Sequence, residues 1–480
     1  MLKVLHKRSE NGGLERALGP FASGAIVLGT MVGTGIFLKP GEVARDAGSV
    51  SVLAVVWLAA GILSLLGGMC YAELGASIPE AGGEYAYLRR GFGPRIAFLF
   101  GWMHSIVARP ASVAAIAAGF MRFVCFFVPA LNSSVFPTRS TLVWHGVRLL
   151  PIPVTQAQLC AIAAIVAITV INYLGVRLGG EVQIALTAVK VAALIAVLGS
   201  VFLFLHHPHL STNLHPFWPS SLGWGTLEGF LTAMAAAAWA YDGWNDLNLV
   251  GSEVKNPQRN FPYVIIHGVL TVIVLFMLFN FACLYALPYS NVAASQKVTS
   301  DVFEKVAGYR AALWITAVLA VSALATLNSS ILSGARVDYA MARDGIFFRF
   351  AGAIHPRFHT PSHALILQGA IASVMALTGS FESLTSLVMF GNWFFYALAV
   401  LAMMRLRKTE PHLVRPYRTW GYPVTPIAFA IMAVSLSLSL WIARPIRSSI
   451  GVAAVLSGLF FYRYWTREPV DPPPPVPAFK

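Results

Sequence analysis

Long apolar runs separated by short polar segments dominate the chain. About twelve runs of roughly 20 hydrophobic residues begin near positions 21, 50, 97, 156, 180, 224, 262, 311, 363, 381, 421 and 446. A helix of about 20 residues crosses the hydrocarbon core of a bilayer, which is about 30 Å thick. The pattern therefore predicts an all-α polytopic membrane protein with twelve transmembrane helices.

Two of these runs are interrupted by glycine. Gly33-Thr34-Gly35 breaks the first run, and Asp242-Gly243 breaks the sixth. Lipid offers no partner to free N–H and C=O groups, so a helix break at membrane depth is tolerated where it lines a cavity. Paired breaks in corresponding spans are typical of transporters built from two inverted halves. We therefore expect helices 1 and 6 to be unwound around a binding site.

The two breaks have complementary polarity. N–H groups freed at the first break start a half-helix, whose positive dipole end suits a carboxylate. Carbonyl groups freed at the second break end a half-helix and suit an ammonium group. Close helix packing is the alternative reason for glycine in such helices, and it stays open for Gly29 and Gly61. Facing each other, the breaks predict a backbone clamp for the zwitterionic head of an α-amino acid.

Composition and charge exclude several classes of protein. Hydrophobic residues make up 57% of the chain and charged residues 11%, with a formal net charge of +14. With the N-terminus inside, about 22 of the 34 Lys and Arg residues lie on the cytoplasmic side. This distribution predicts a cell-membrane protein with both termini cytoplasmic, and it reflects topology and anionic lipid rather than nucleic acid. No spaced ligand set or clustered catalytic set is present, so we expect no metal, no cofactor and no enzymatic activity.

Several motifs together resemble one superfamily. They occupy positions 29–37, 71–75, 79–85, 239–245, 253–257 and 328–336, with the pairs Arg109-Pro110 and Asn392-Trp393. Over roughly residues 15–425 the chain resembles the amino acid-polyamine-organocation (APC) superfamily, and within it the L-type amino acid transporters. The resemblance implies the leucine-transporter fold, in which two five-helix inverted repeats are followed by two further helices.

The expected division of the chain follows from that resemblance. Residues 1–20 form a cytoplasmic segment, 21–206 the first repeat with transmembrane helices 1–5, and 224–404 the second repeat with helices 6–10. Residues 421–466 hold helices 11 and 12, and 467–480 form a Pro-rich cytoplasmic tail.

The resemblance also implies the residues of the substrate site. The substrate carboxylate is expected on the backbone N–H groups of Gly33, Thr34 and Gly35. The substrate amine is expected on the carbonyl groups of Met31, Trp239 and Asp242. Trp239 also occupies the position of the family's gating aromatic side chain, which covers the bound substrate.

Two basic residues lie inside predicted spans. Lys190 lies in the apolar run 182–204, and since an ammonium group in lipid costs several kcal/mol, it should face the protein interior. In the resemblance it stands where sodium-coupled relatives bind sodium, which implies transport without sodium. Release of its proton for coupling is the other interpretation. Arg109 likewise demands buried carboxylate or carbonyl partners, which the sequence does not name.

Substrate specificity is expected to depend on four side chains of the pocket: Asp242, Asn245, Asp246 and Asn392. Family members that accept cationic amino acids have an aspartate at the position of Asp242. The same carboxylate could instead bond Lys190, Thr34 or the freed backbone and leave the pocket neutral. Asp246 replaces a common aromatic residue, which leaves pocket size and polarity open. Asn245 either contacts the substrate or braces the unwound segment.

The predicted function is sodium-independent exchange of neutral L-amino acids by alternating access, and of cationic ones if Asp242 faces the pocket. A proton-coupled amino acid or polyamine symporter is the alternative, with Lys190, Asp242 or Asp246 as the proton site. An amino acid sensor built on a transporter fold is a third possibility. The expected partners are L-amino acids and membrane lipid.

One cysteine that the resemblance would lead us to expect is missing. Animal members of the family form a disulfide with a single-span glycoprotein through a cysteine between spans three and four. Residues 126–159 contain no cysteine, and Cys125 and Cys160 only border them. This absence implies a stand-alone, prokaryotic transporter without a disulfide-linked heavy subunit.

Overall fold

A computed structural model describes residues 14, 16–135, 142–144, 147–150, 154–205, 209–219, 221, 223–378, 381–443 and 445–466. The predicted tail 467–480 and most of the predicted N-terminal segment 1–20 lie outside the described residues.

Helices make up almost all of the described chain. The first ten are α1 Pro20–Met31, α2 Thr34–Leu38, α3 Pro40–Ala47, α4 Val50–Ser77, α5 Glu84–Phe92, α6 Pro94–Met103, α7 Arg109–Phe127, α8 Gln156–Tyr173, α9 Val176–Phe204 and α10 Leu210–Asn213. The next are α11 Trp224–Tyr241, α12 Asp246–Leu249, α13 Pro257–Ala286, α14 Tyr289–Ala294, α15 Val298–Arg343, α16 Ser362–Thr378, α17 Phe381–Thr409, α18 Val424–Ala443 and α19 Pro445–Trp465.

Eight stretches of the described chain are long and apolar enough to cross a bilayer. They are Pro20–Leu38, Val50–Ser77, Pro94–Phe127, Gln156–Tyr173, Leu178–Phe204, Pro257–Ala286, Val298–Arg343 and Val424–Ile442. At the other four predicted spans the chain is also helical, in α11, α16, α17 and α19. Large apolar side chains such as Ile195, Val274 and Ile431 are exposed on the outer surface of the bundle, as lipid-facing residues are.

One loop of the described chain contains a short pair of strands, and the chain is otherwise helical, as the all-α class predicts. Between α7 and α8, strands β1 Leu142–Trp144 and β2 Val147–Leu150 form an antiparallel hairpin, in which Trp144 pairs with Val147. Such a short, isolated pairing carries little of the hydrophobic periodicity from which strands are recognised.

Local sequence explains where several helices begin and end. Ser49 caps the start of α4 by accepting a hydrogen bond from the Val52 N–H, and Thr155 and Gln158 form a capping box at the start of α8. Gly48 ends α3 with a positive φ of 69°, which glycine adopts without steric cost. These signals divide one continuously apolar sequence into separate helices.

Ion pairs that include buried carboxylates connect helices at one end of the bundle. Arg407 of α17 contacts Glu73 of α4, with Nη2 and Oε2 2.5 Å apart. Arg336 of α15 forms two hydrogen bonds, of 2.8 and 3.1 Å, with the carboxylate of Glu253. Because both partners of the Arg336–Glu253 pair are buried, separating them without new partners would cost several kcal/mol, whereas Arg407 is partly exposed and its pair should contribute less.

Candidate functional site

The chain leaves the helical conformation at the first glycine-rich segment. Met31 is the last residue of α1 and Thr34 the first of α2, and Val32 and Gly33 between them are not helical. The Gly33 N–H donates to the Met31 carbonyl at 2.8 Å. In a continuous helix it would donate to the carbonyl of Gly29. The break therefore releases the Gly29 carbonyl from the helix.

Lys190 satisfies the released carbonyl. Its side chain is fully buried, and Nζ lies 2.6 Å from the Gly29 oxygen and 3.0 Å from Thr326 Oγ1. The ammonium group thus joins α1, α9 and α15 at the first break. Lys190 faces the protein interior, as its position in an apolar run requires.

A second break separates α11 from α12. After Tyr241 the backbone turns at Asp242 and Gly243, which has a φ of 108°, and α12 begins at Asp246. The Asp242 N–H reaches back only to the Trp239 carbonyl, at 3.2 Å. The positive φ explains why glycine follows the aspartate, since other residues are strained in that conformation.

The two breaks pack directly against each other. A Cβ atom on Gly35 would lie 2.6 Å from Ala240 Cα and 3.0 Å from its Cβ. A Cβ atom on Gly243 would overlap the side chain of Thr30. These glycines therefore allow the backbones of α2 and α11 to approach closely, which brings the two sets of freed backbone groups together.

A small cavity of about 30 Å³ lies where the breaks meet. Residues of both breaks line it, together with side chains of α7 and α15: Thr30, Met31, Gly33, Thr34, Gly35, Arg109, Ser112, Ile116, Trp239, Ala240, Asp242, Gly243, Asp246, Thr326 and Ser330. A volume of this size holds about one water molecule. An amino acid would therefore need the lining residues to move apart before it could bind here.

Arg109 and Asp246 form a buried ion pair in the wall of this cavity. Arg109 Nη2 lies 2.7 Å from Asp246 Oδ1, and Nη1 lies 3.3 Å from Oδ2. Ser330 accepts from Arg109 at 3.1 Å, and Ser333 donates to Asp246 at 3.0 Å. Arg109 directly follows a π-helical turn, His104–Ala108, of the kind often found at functional sites. The charge of Asp246 is thus compensated within the protein.

Asp242 is held differently. Its Oδ1 accepts a hydrogen bond of 3.0 Å from the Tyr396 hydroxyl of α17. Of the partners that the sequence suggested, Lys190 bonds elsewhere, to Gly29 and Thr326. A tyrosine hydroxyl carries no charge. Unlike Asp246, which pairs with Arg109, Asp242 therefore has a side-chain partner that does not compensate its negative charge.

Two predicted pocket residues, Asn245 and Asn392, are not part of the cavity lining. Asn245 donates to Glu84 of α5 and lies 3.5 Å from the Tyr396 hydroxyl, so its described contacts brace the second break. Asn392 lies one helical turn before Tyr396 on α17 and does not line the cavity. A direct contact of either side chain with substrate stays a prediction.

Trp239 lines the cavity and packs against the first break. Its ring is 7% exposed and lies against Gly35, at 3.3 Å from the position that a Cβ would take. The Lys39 ammonium lies 5.8 Å from the ring centre, within the range of a cation–π contact, and 2.5 Å from Glu42. Trp239, the predicted gate, therefore lies between the cavity and the Lys39–Glu42 ion pair that follows α2.

Sequence reasoning did not assign Thr326, Ser330 or Tyr396 to the site. Thr326 and Tyr396 lie outside the motifs described above, and Ser330 lies within the motif at 328–336 but was given no role. The run of small hydroxyl residues on α15, spaced by four at Thr326 and Ser330, could have indicated a polar face directed into the bundle. Tyr396 offers no such signal, since it lies in the middle of α17 with apolar residues directly before and after it in the sequence.

Comparison with known proteins gives a consistent result. A family profile described as "Amino acid permease" matches residues 18–461. The b(0,+)-type amino acid transporter 1 of Mus musculus is 34% identical over 458 residues, which cover 94% of this chain and 88% of the relative. The large neutral amino acids transporter small subunit 2 of Mus musculus is 31% identical over 477 residues, covering 96% and 84%. The Asc-type amino acid transporter 1 of the same species is 28% identical over 469 residues, again covering 96% and 84%.

Replacement of Gly35 by alanine tests the contact between the breaks. We expect Gly35→Ala to lower substrate flux at least about tenfold, because overpacking a close backbone contact costs about 1–3 kcal/mol. The matched control is Gly199→Ala, since a Cβ there meets no atom within 4 Å. Flux into proteoliposomes measures both variants, and equal flux for the two would contradict the contact.

Removal of one partner tests the Arg109–Asp246 pair. Asp246→Asn should lower the free energy of unfolding by about 3 kcal/mol, because it leaves a buried guanidinium without its counter-charge. The double variant Arg109→Met with Asp246→Leu should lose less, since it buries no uncompensated charge. Thermal unfolding of the purified protein in detergent measures both. A double variant less stable than Asp246→Asn would refute the account.

Proposed function

Because the chain belongs to the amino acid permease family, we propose that it is a sodium-independent exchanger of L-amino acids that works by alternating access. The observation that carries the proposal is the meeting of both helix breaks at one cavity, with freed backbone groups of opposite polarity. The names of the similar transporters, b(0,+)-type, Asc-type and large neutral amino acids, agree with amino acids as the substrate class.

In this proposal the backbone recognises the head group common to all α-amino acids. The substrate carboxylate binds the N–H groups at the start of α2, and the amine binds carbonyls at the ends of α1 and α11. The six residues concerned all line the cavity: Met31, Gly33, Thr34, Gly35, Trp239 and Asp242. Trp239 acts as the gate, since its ring lies over the contact between the breaks.

The charge of the cavity supports a substrate range that includes cationic amino acids. Asp242 and Asp246 both line the cavity, and Arg109 neutralises Asp246. Asp242, which has the neutral hydroxyl of Tyr396 as its partner, then supplies the negative charge that attracts a lysine or arginine side chain. Neutral substrates need only the backbone groups.

Lys190 supports the independence from sodium. Its ammonium lies among oxygen atoms, the carbonyl of Gly29 and the hydroxyl of Thr326. Oxygen atoms of this kind are what a hard metal cation would otherwise bind. The fixed positive charge of the lysine takes the place of the ion in this proposal, so no sodium is needed to close the site.

We also propose the number of spans, their division into repeats, the orientation in the membrane and the subunit composition. Twelve spans, in two inverted repeats at 21–206 and 224–404 followed by two helices at 421–466, agree with the helix bounds. Both termini are assigned to the cytoplasm from the distribution of basic residues. The absence of cysteine from residues 126–159 supports function without a disulfide-linked subunit. The relatives named above are mammalian, so the expected prokaryotic origin rests on that absence alone.

One observation favours proton coupling as the second candidate. Glu84 lies in the connection between two spanning helices, and burial raises the pKa of its carboxyl group to about 7. Its side chain accepts from Asn245 in the second break. A carboxyl group that exchanges a proton near neutral pH and touches the break is suited to couple proton binding to its movement.

Flux measurements in proteoliposomes decide between the candidates. For the exchanger we expect uptake of radiolabelled amino acid that requires unlabelled amino acid inside and responds to neither sodium nor a pH gradient. Uptake into empty liposomes driven by a pH gradient would instead establish the symporter. In that case Glu84→Gln should abolish the dependence on pH.

Substitution of Asp242 tests the substrate range. Asp242→Gly and the isosteric Asp242→Asn should both lose arginine and lysine exchange at least about tenfold, since the attraction to a cationic side chain is gone. Exchange of small neutral amino acids should persist, because the backbone groups remain. The control is Tyr396→Phe, which keeps the carboxylate and should keep cationic exchange. Unchanged cationic exchange in Asp242→Asn would remove the specificity role of this residue.

A further inference from the structure

A large cleft opens at one end of the bundle, where four long helices begin or end. Its volume is about 1060 Å³. The lining comes from the segment before α1, the end of α4, the start of α13, and the loop after α17, with Arg90 of α5 between them. We call it the basic cleft. It is separate from the substrate cavity, with which it shares no lining residue.

The basic cleft carries an excess of positive charge. Arg16, Arg90 and Arg259 line it together with a single acid, Glu410, which gives a formal surplus of two positive charges with His412 neutral. Arg90 forms hydrogen bonds of 2.6 to 3.0 Å with Glu410 and lowers the pKa of that carboxyl group, so this pair is already satisfied. Neither Arg16 nor Arg259 forms an ion pair within the described part of the chain.

Backbone hydrogen bonds hold the two segments that carry the unpaired arginines next to each other. The Leu18 N–H donates to the Glu253 carbonyl at 2.9 Å, and the Lys255 N–H donates to the Leu18 carbonyl at 2.8 Å. This short pairing fixes the segment that carries Arg16 beside the start of α13, which carries Arg259. The fold therefore fixes the backbone positions of Arg16 and Arg259, and both side chains are exposed to solvent.

Apolar side chains next to the cleft indicate that it lies at the membrane surface. Tyr263 follows Arg259 by one turn on the same face of α13 and is 60% exposed. Phe21, in the first turn of α1, is 86% exposed, and Val414 in the rim of the cleft is 71% exposed. A basic pocket bordered by exposed apolar surface matches a ligand with a charged head and apolar chains.

We propose that the basic cleft binds the phosphate-bearing head group of an anionic phospholipid. Arg16 and Arg259 contact the phosphate, for which guanidinium groups are well suited, and the acyl chains lie along Tyr263 and Phe21. A phosphate ester is the shared chemistry of lipid and soluble ligands. The adjacent apolar side chains favour the lipid.

Lipid binding to the purified full-length chain tests this site without any transport assay. The detergent-solubilised protein is delipidated and incubated with phosphatidylglycerol or with phosphatidylcholine of the same chains, and native mass spectrometry counts bound lipid. The wild type should retain phosphatidylglycerol in preference. Arg16→Gln with Arg259→Gln should weaken that binding about thirtyfold, because each arginine near an anionic lipid contributes a factor of about five.

Two controls make the outcome decisive. Arg349→Gln removes an exposed arginine outside the cleft and should leave the preference for phosphatidylglycerol unchanged. A loss in Arg349→Gln equal to that of the double variant would show general electrostatics and overturn the site. Excess inorganic phosphate or glycerol 3-phosphate should leave the lipid bound. Displacement by either would assign the cleft to a soluble phosphate and overturn the lipid assignment, and equal retention of both lipids by the wild type would overturn the site itself.

Discussion

A helix that is broken inside a bilayer must satisfy its backbone groups without water, and this constraint governs the centre of the molecule. The first break turns the Gly33 N–H away from the Gly29 carbonyl, and the Lys190 ammonium replaces it. The partner thus comes from α9, about 160 residues away along the chain. The break is stable only when α1, α9 and α15 are assembled, so the binding geometry depends on tertiary packing rather than on the local sequence.

Buried charges place a second constraint on how the parts can move. The short segment from Asp246 to Glu253, which follows the second break, is held at both ends by arginines, Arg109 of α7 and Arg336 of α15. Each pair is shielded from water, so breaking one without a new partner would cost several kcal/mol. We expect this segment, α7 and α15 to move as one body, while α1, α2 and α11 supply the changes at the cavity.

The order and approximate positions of the helices could be predicted from the sequence, because membrane-spanning helices are recognised by their length and their apolar composition. The positions of both breaks could also be predicted, since the glycine-rich interruptions occur in corresponding spans of the two halves. The pairing of Arg109 with Asp246 could not be predicted, because any of several buried acids could have formed an ion pair with that guanidinium group. The same holds for Tyr396 on Asp242, which depends on the rotation of α17 about its axis. The strands at 142–144 and 147–150 were not predicted because each is too short to show a period.

The hydrogen bond from the Gly33 N–H to the Met31 carbonyl joins two groups that the proposed mechanism assigns to opposite ends of the substrate. The N–H group proposed to bind the carboxylate and the carbonyl group proposed to bind the amine thus form a hydrogen bond with each other. In the proposed mechanism, an incoming amino acid must therefore displace the hydrogen bond between Gly33 and Met31. It prevails because its two full charges bond more strongly than a neutral amide pair. In the proposed exchange, the two groups are therefore satisfied at every stage, either by each other or by the charged head of the next amino acid.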